Sequence, residues 1–187
     1  MVKKNACVFI SGNGTNLKYL ILNSRNYSFP IKIGMVVSSK KNAKGLFYAK
    51  KWSIPYLIFD KKDIISEFKI INKLKEKKIN FICLAGYMKI LSKNFTKIFK
   101  EKIINIHPSL LPKFKGLNTY DKVLINKEKK TGCSVHFVNE KLDAGKIISK
   151  KLFFIHERDN VKSLKKKTQA LEHRLFSESV IKIFRNF

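Results

Sequence analysis

The stretch VFISGNGTNLKYLI, residues 8–21, decides how the chain is read. Val8, Phe9 and Ile10 are β-branched or aromatic and suit a short buried strand. Gly12 and Gly14 break that run, and from Thr15 the apolar residues Leu17, Leu20 and Ile21 fall at helical spacing. A strand, a glycine turn and a helix make the opening unit of an α/β sheet, and the glycines let the backbone approach a ligand at a helix N-terminus. A dinucleotide fingerprint needs a third glycine, and an acidic residue about 20 positions on at the end of the second strand. Here Leu17 stands in the third position, and the second strand ends in Val37, Ser38, Ser39 and Lys40. No Gly-Lys-Ser/Thr follows, which also excludes a triphosphate loop. Two readings remain: a tight turn without a ligand, or a cradle for one phosphate monoester made by Gly14, Thr15 and Asn16.

The pattern repeats downstream. Ala6–Ser11, Ile31–Val37, Pro55–Phe59, Phe81–Ala85, Ile103–Ile106, Gly132–Val138 and Lys146–Phe154 read as strands. Thr15–Leu22, Asn42–Trp52, Lys62–Lys77, Ser92–Phe99 and Val161–Phe184 read as helices. This alternation predicts an α/β fold: one domain over residues 1–187 with an open, mostly parallel, twisted sheet and helices on both faces. No repeat, linker or shift of composition divides the chain.

A formal charge of +27 is the loudest feature of the composition. Only Arg25, Arg158, Arg174 and Arg185 are arginines, so 36 of the 40 basic residues are lysines, spread along the whole chain. A reader of nucleic acid would concentrate its charge and favour arginine forks, so no specific nucleic-acid partner is expected. No apolar run approaches the roughly 20 residues of a membrane span, and Ala6–Ile10 is too short for a signal-peptide core. The reading is cytoplasmic, without a membrane partner. Cys7, Cys83 and Cys133 lack any Cys-x-x-Cys or Cys/His ligand spacing, so they read as buried thiols and no metal is expected.

The second decisive stretch is KIINIHPSLLPKFKG, residues 102–116. Asn105 and His107 are two apart, so along a strand they share one face, at the carboxyl end where an open α/β sheet places its ligand. Pro108 ends the strand and Pro112 stiffens the turn. Taken alone, a histidine at a strand end is more often structural than catalytic.

These motifs, with LAGYMKIL (84–91), TGCSVHFVNEKLDAG (131–145) and LEH (171–173), make the whole chain resemble the folate-dependent formyltransferases, closest to the branch acting on glycinamide ribonucleotide. The resemblance implies a Rossmann-like formyltransferase fold and transfer of a formyl group from 10-formyltetrahydrofolate to that small molecule's amine, without a metal. It assigns Asn105, His107 and Asp143 to catalysis. Asn105 and His107 would donate to the oxyanion, while Asp143 raises the His107 pKa and holds a relay water. It gives the acceptor's phosphate to Gly14, Thr15 and Asn16, and its ribose to Glu172, which by itself would pass as a solvated helix residue. Lys62, Met88, Lys89, Ile90 and Leu91, with Asn105, Asn139, Glu140, Lys141, Leu142 and Asp143, correspond to the folate pocket. Met88, Ile90 and Leu91 would otherwise pass as core.

Some positions depart from the family. Lys62 stands where relatives commonly carry arginine, which implies a looser hold on the folate tail. GLNTYDKVL (116–124) lacks an expected histidine, placing Asn118 and Tyr120 there, and Asp143-Ala144-Gly145 lacks one of two usual glycines. Methionyl-tRNA formyltransferases and formyltetrahydrofolate deformylases share the catalytic loop. The former have a glycine after the histidine, and both carry an extra domain that does not fit in 187 residues.

Overall fold

A computed structural model describes residues 2–59 and 64–185, with residues 64–66 described by their backbone alone. The strands are β1 (Lys4–Ile10), β2 (Ile31–Ser38), β3 (Tyr56–Ile58), β4 (Phe81–Leu84), β5 (Ile103–His107), β6 (Lys130–Phe137) and β7 (Ile147–Phe154). The helices are α1 (Thr15–Ser24), α2 (Leu46–Lys51), α3 (Ile64–Glu76), α4 (Lys93–Ile98), α5 (Thr119–Ile125) and α6 (Val161–Arg185). The strands form one sheet in the order β3-β2-β1-β4-β5-β6-β7. Strands β1 to β5 pair in parallel, while β6 and β7 join antiparallel at one edge.

Alternation along β1 builds both layers of the core. Ala6, Val8 and Ile10 face Leu17, Leu20 and Ile21 of α1 and Leu175, Phe176 and Val180 of α6. Cys7 and Phe9 face the other way, onto Ile70, Ile71 and Leu74 of α3 and Phe95 of α4. A strand covered on both faces must be apolar throughout, which explains the unbroken ACVFI. Phe9 is fully buried with its ring edge-on to Phe95 and Tyr87, so its truncation to alanine would cost about 3–5 kcal/mol. The three cysteines are buried and unpaired.

The sheet order reverses between β1 and β4, because β2 and β3 are added on one side and β5 to β7 on the other. At such a reversal the connections leave in opposite directions and open a crevice at the carboxyl ends of the strands. The loops after β1, β4 and β5 all start there, and they carry the three motifs singled out in the sequence.

The structure differs from the sequence reading in a few places. Helix α5 begins within GLNTYDKVL and ends at Ile125, and its 7 residues are too few to show a periodicity; Asn118, at a φ of 56°, turns the chain into it. Helix α2 starts only at Leu46, after turns over Lys41–Asn42 and Lys44–Gly45. Met88 and Ile90 are each 65% exposed and are not core, whereas Leu91 is. No helix among the described residues is long and apolar enough to cross a membrane.

Candidate active site

The glycine loop has a structural reason of its own. Gly14 precedes α1 in the left-handed region at a φ of 70°, and a Cβ there would run into the Gly45 backbone. Gly45 in turn donates its N–H to the Gly12 carbonyl at 2.9 Å, so two glycine backbones lie against each other without intervening side chains. This packing holds the start of α1, with its free N–H groups, at the crevice. Thr15 is half-buried on the first turn, and Asn16 is buried.

Asn16 reaches across to α6. Its Nδ2 donates to Glu172 Oε2 at 2.8 Å, and Glu172 is only 7% exposed. The picture of a solvated helix residue therefore fails. Residues 16 and 172 meet because α1 and α6 pack side by side on one sheet face, and burial pushes the Glu172 carboxyl up to about 7 against the pull of the Asn16 bond. Asn16 Oδ1 is buried without a partner among the described residues, leaving an acceptor facing this junction.

Asn105, His107 and Asp143 converge at the carboxyl end of β5. His107 Nδ1 lies 3.3 Å from Asp143 Oδ2, and Asn105 Nδ2 donates to Asp143 Oδ1 at 3.5 Å. Asp143 also accepts the Gly116 N–H at 2.9 Å, and its backbone is held at a φ of 46°. Such a conformation persists in a non-glycine residue when its surroundings over-determine it. One of those constraints is Gly145, where any Cβ would overlap the Phe137 carbonyl. Burial raises the Asp143 carboxyl, but the contacts with His136, the Gly116 amide and His107 outweigh it, and the group stays below its usual value.

His107 Nε2 lies 2.9 Å from the Phe114 carbonyl oxygen. One expectation about this residue is corrected. Its pKa is lowered, not raised: burial removes water from the imidazolium, and this outweighs the upward pull of the Phe114 carbonyl and of Asp143. The residue is 5% exposed, so the desolvation is nearly complete.

Two contributors escaped the sequence reading. His136 is buried on β6, with Nε2 3.2 Å from Asn105 Nδ2 and 3.5 Å from Asp143 Oδ1. Ser134 Oγ donates to the Ser109 carbonyl at 2.7 Å and accepts the Leu111 N–H at 3.0 Å, bracing the loop after β5. The available signal was their spacing of two in TGCSVHF, which matches that of Asn105 and His107. Antiparallel register sets His136 opposite Asn105 and Ser134 opposite His107.

The loop after β4 is tied to the loop after β1. Met88 N–H donates to Ser11 Oγ at 2.8 Å, and that hydroxyl lies 2.5 Å from Ser39 Oγ. Met88, Ile90 and Leu142 expose apolar surface, while Leu91 turns into the core and leaves only its backbone for a ligand. Lys89 lies over the Phe59 ring at 5.7 Å. Asn139, Glu140 and Lys141 are exposed, and Asn139 Oδ1 accepts the Lys141 N–H at 3.0 Å. Lys62 lies outside the described residues. Among those described, no three His, Cys, Asp or Glu side chains are placed to hold a metal ion.

Known proteins share this arrangement of sequence and fold. Residues 4–180 match the formyl transferase family. A phosphoribosylglycinamide formyltransferase of Haemophilus influenzae is 40% identical over 177 residues, covering 92% of this chain and 84% of that protein. The trifunctional purine biosynthetic protein adenosine-3 of Gallus gallus is 42% identical over 178 residues, which are 93% of this chain and 18% of that longer protein. The crystal structure of phosphoribosylglycinamide formyltransferase from Anaplasma phagocytophilum superposes with a TM-score of 0.93 at 35% identity, covering 99% of this chain and 88% of that one. Similarity of this extent, across the sheet and the loops that form the crevice, makes the chain a member of the formyl transferase family.

Proposed function

We propose that the chain transfers the formyl group of 10-formyltetrahydrofolate to the primary amine of glycinamide ribonucleotide, a step of purine biosynthesis, and that residues 1–187 act as one catalytic domain. The observation that carries this reading is the convergence of Asn105, His107 and Asp143 in the crevice whose other wall holds the Gly14–Asn16 turn and Glu172. Both reactants fit that layout. The acceptor's phosphate meets the N-terminus of α1, and its ribose hydroxyls donate to Glu172. The exposed apolar residues Met88, Ile90 and Leu142 cover the folate ring, whose polar edge reads the backbone of 88–91 and 139–143.

In the reaction the amine nitrogen attacks the formyl carbon, the carbonyl oxygen becomes an oxyanion, and the bond from carbon to the folate N10 breaks. One proton passes from the amine to N10. The Asn105 carboxamide supplies an N–H to the oxyanion; removal of one such donor typically costs roughly 2.7–4 kcal/mol in the barrier. Nε2–H of His107, held by Phe114 before substrate binds, is the second donor, and the oxyanion competes with that carbonyl for it. Asp143 stabilises the charge that His107 gains while the proton moves. Burial disfavours the charged imidazolium, so the negative charge that develops beside His107 favours that form most in the transition state.

The test is an assay with 10-formyltetrahydrofolate and two acceptors side by side, glycinamide ribonucleotide and charged initiator tRNA. Transfer to the ribonucleotide is expected; transfer to the tRNA alone would overturn the reading.

A further inference from the structure

We propose that His136 is the positioning residue that turns the Asn105 carboxamide so that its N–H side faces the reacting atoms. The inference rests on the formyl-transfer reading and deepens it. His136 Nδ1 lies 2.8 Å from the Phe137 carbonyl oxygen. A carbonyl only accepts, so a full hydrogen bond at that distance places the proton on Nδ1. With a single proton on the ring, Nε2 is then an acceptor, and the group nearest it, at 3.2 Å, is Asn105 Nδ2.

The other arrangements of a singly protonated ring fit the geometry less well. With the proton on Nε2, the ring would trade its 2.8 Å bond for a contact of 3.5 Å to Asp143 Oδ1, and would set a lone pair against the Phe137 carbonyl. With the amide reversed, Asn105 Oδ1 would face both the Nε2 lone pair and the Asp143 carboxylate. Water does not relieve that repulsion, because His136 is 2% exposed and the Asp143 side chain 8%. The register of β6 against β5 sets the two side chains side by side on one face, since Asn105 and His136 are directly paired. Asn105 therefore meets the substrate with its donor side already directed, which removes the cost of reorientation at the moment of reaction.

Wild type and Asn105→Ala, assayed for formyl transfer to glycinamide ribonucleotide, set the baseline. An inactive wild type would refute the underlying reading rather than this inference. With that baseline in place, His136→Leu, which has no acceptor, should lower kcat on the order of tenfold, less than removal of the donor itself, and leave both KM values within about twofold. His136→Gln offers an acceptor oxygen and should recover most of the loss. In the Asn105→Ala background His136→Leu should change nothing further. Equal losses for Leu and Gln, or additive losses in the double variant, would overturn the proposal. Imidazole 15N NMR of the wild type tests it without any variant: the neutral Nδ1–H tautomer is expected, and an Nε2–H tautomer or a doubly protonated ring would overturn it.

Discussion

Replacing Glu172 by glutamine should make the protein more stable at alkaline pH while it weakens acceptor binding. The folded carboxyl has a pKa of about 7 against 4.5 for the free side chain, with burial as the main cause and the Asn16 hydrogen bond opposing it. A folded pKa above the unfolded one means that the native state holds the proton more tightly. The stability this contributes is fully present below pH 4.5 and is lost as pH rises through 7. Integrated over the titration, the loss is on the order of 1 kcal/mol by pH 5 and on the order of 3 kcal/mol by pH 8.5. Glutamine cannot ionise, yet its amide oxygen still accepts from Asn16 Nδ2. The advantage of Glu172→Gln should therefore grow by roughly 2 kcal/mol between pH 5 and pH 8.5. Urea unfolding followed by circular dichroism at the two pH values measures it, each in the absence of substrate. A gap that stays constant with pH would show that Glu172 is not desolvated as the structure places it. The same variant should raise KM for glycinamide ribonucleotide, because ribose hydroxyls donate better to a carboxylate than to an amide.

Asp143→Asn should cut formyl transfer by about 100-fold or more with an unchanged circular dichroism spectrum, since one side chain serves His107, Asn105 and the Gly116 amide together. Near-wild-type turnover would refute its assigned role. An NMR titration of His107 should give a midpoint below 6.5, because burial outweighs Asp143. By the same sign, the neutral buried ring costs stability as pH falls below 6.5, and His107→Gln should lessen that acid sensitivity; a midpoint above 6.5 would reverse the assignment. Gly14→Ala forces a side chain into the Gly45 backbone at a φ of 70°, with an expected loss of about 1–3 kcal/mol and a higher acceptor KM. Unfolding curves that superpose on wild type would show that the close glycine packing is not required.

Much of the fold was legible because its signals are local. A strand buried on both faces must be continuously apolar, as ACVFI and FICL are, and a helix on a sheet must repeat its apolar residues every three or four positions, as α6 does. Helix α5 was missed because 7 residues span only about two turns, too short for a period to show. Convergence of Asn105 with His107 also followed from local geometry, the two-residue period of a strand. His136 and Ser134 share that period, yet nothing within TGCSVHF says which strand lies beside it. That partner is chosen by the whole sheet.

By itself, then, the sequence determined the α/β class, the strand-end placement of Asn105 and His107, and a glycine turn unsuited to a dinucleotide. These depend on backbone periodicity and on glycine and proline stereochemistry, which act between near neighbours. Tertiary structure alone decided that Glu172 is buried against Asn16, that His107 is pulled down in pKa although it sits beside Asp143, and that Asn105 is turned by His136. Desolvation and hydrogen-bond geometry depend on every element packed around a group. For Asn16 and Glu172 those elements come from opposite ends of the chain.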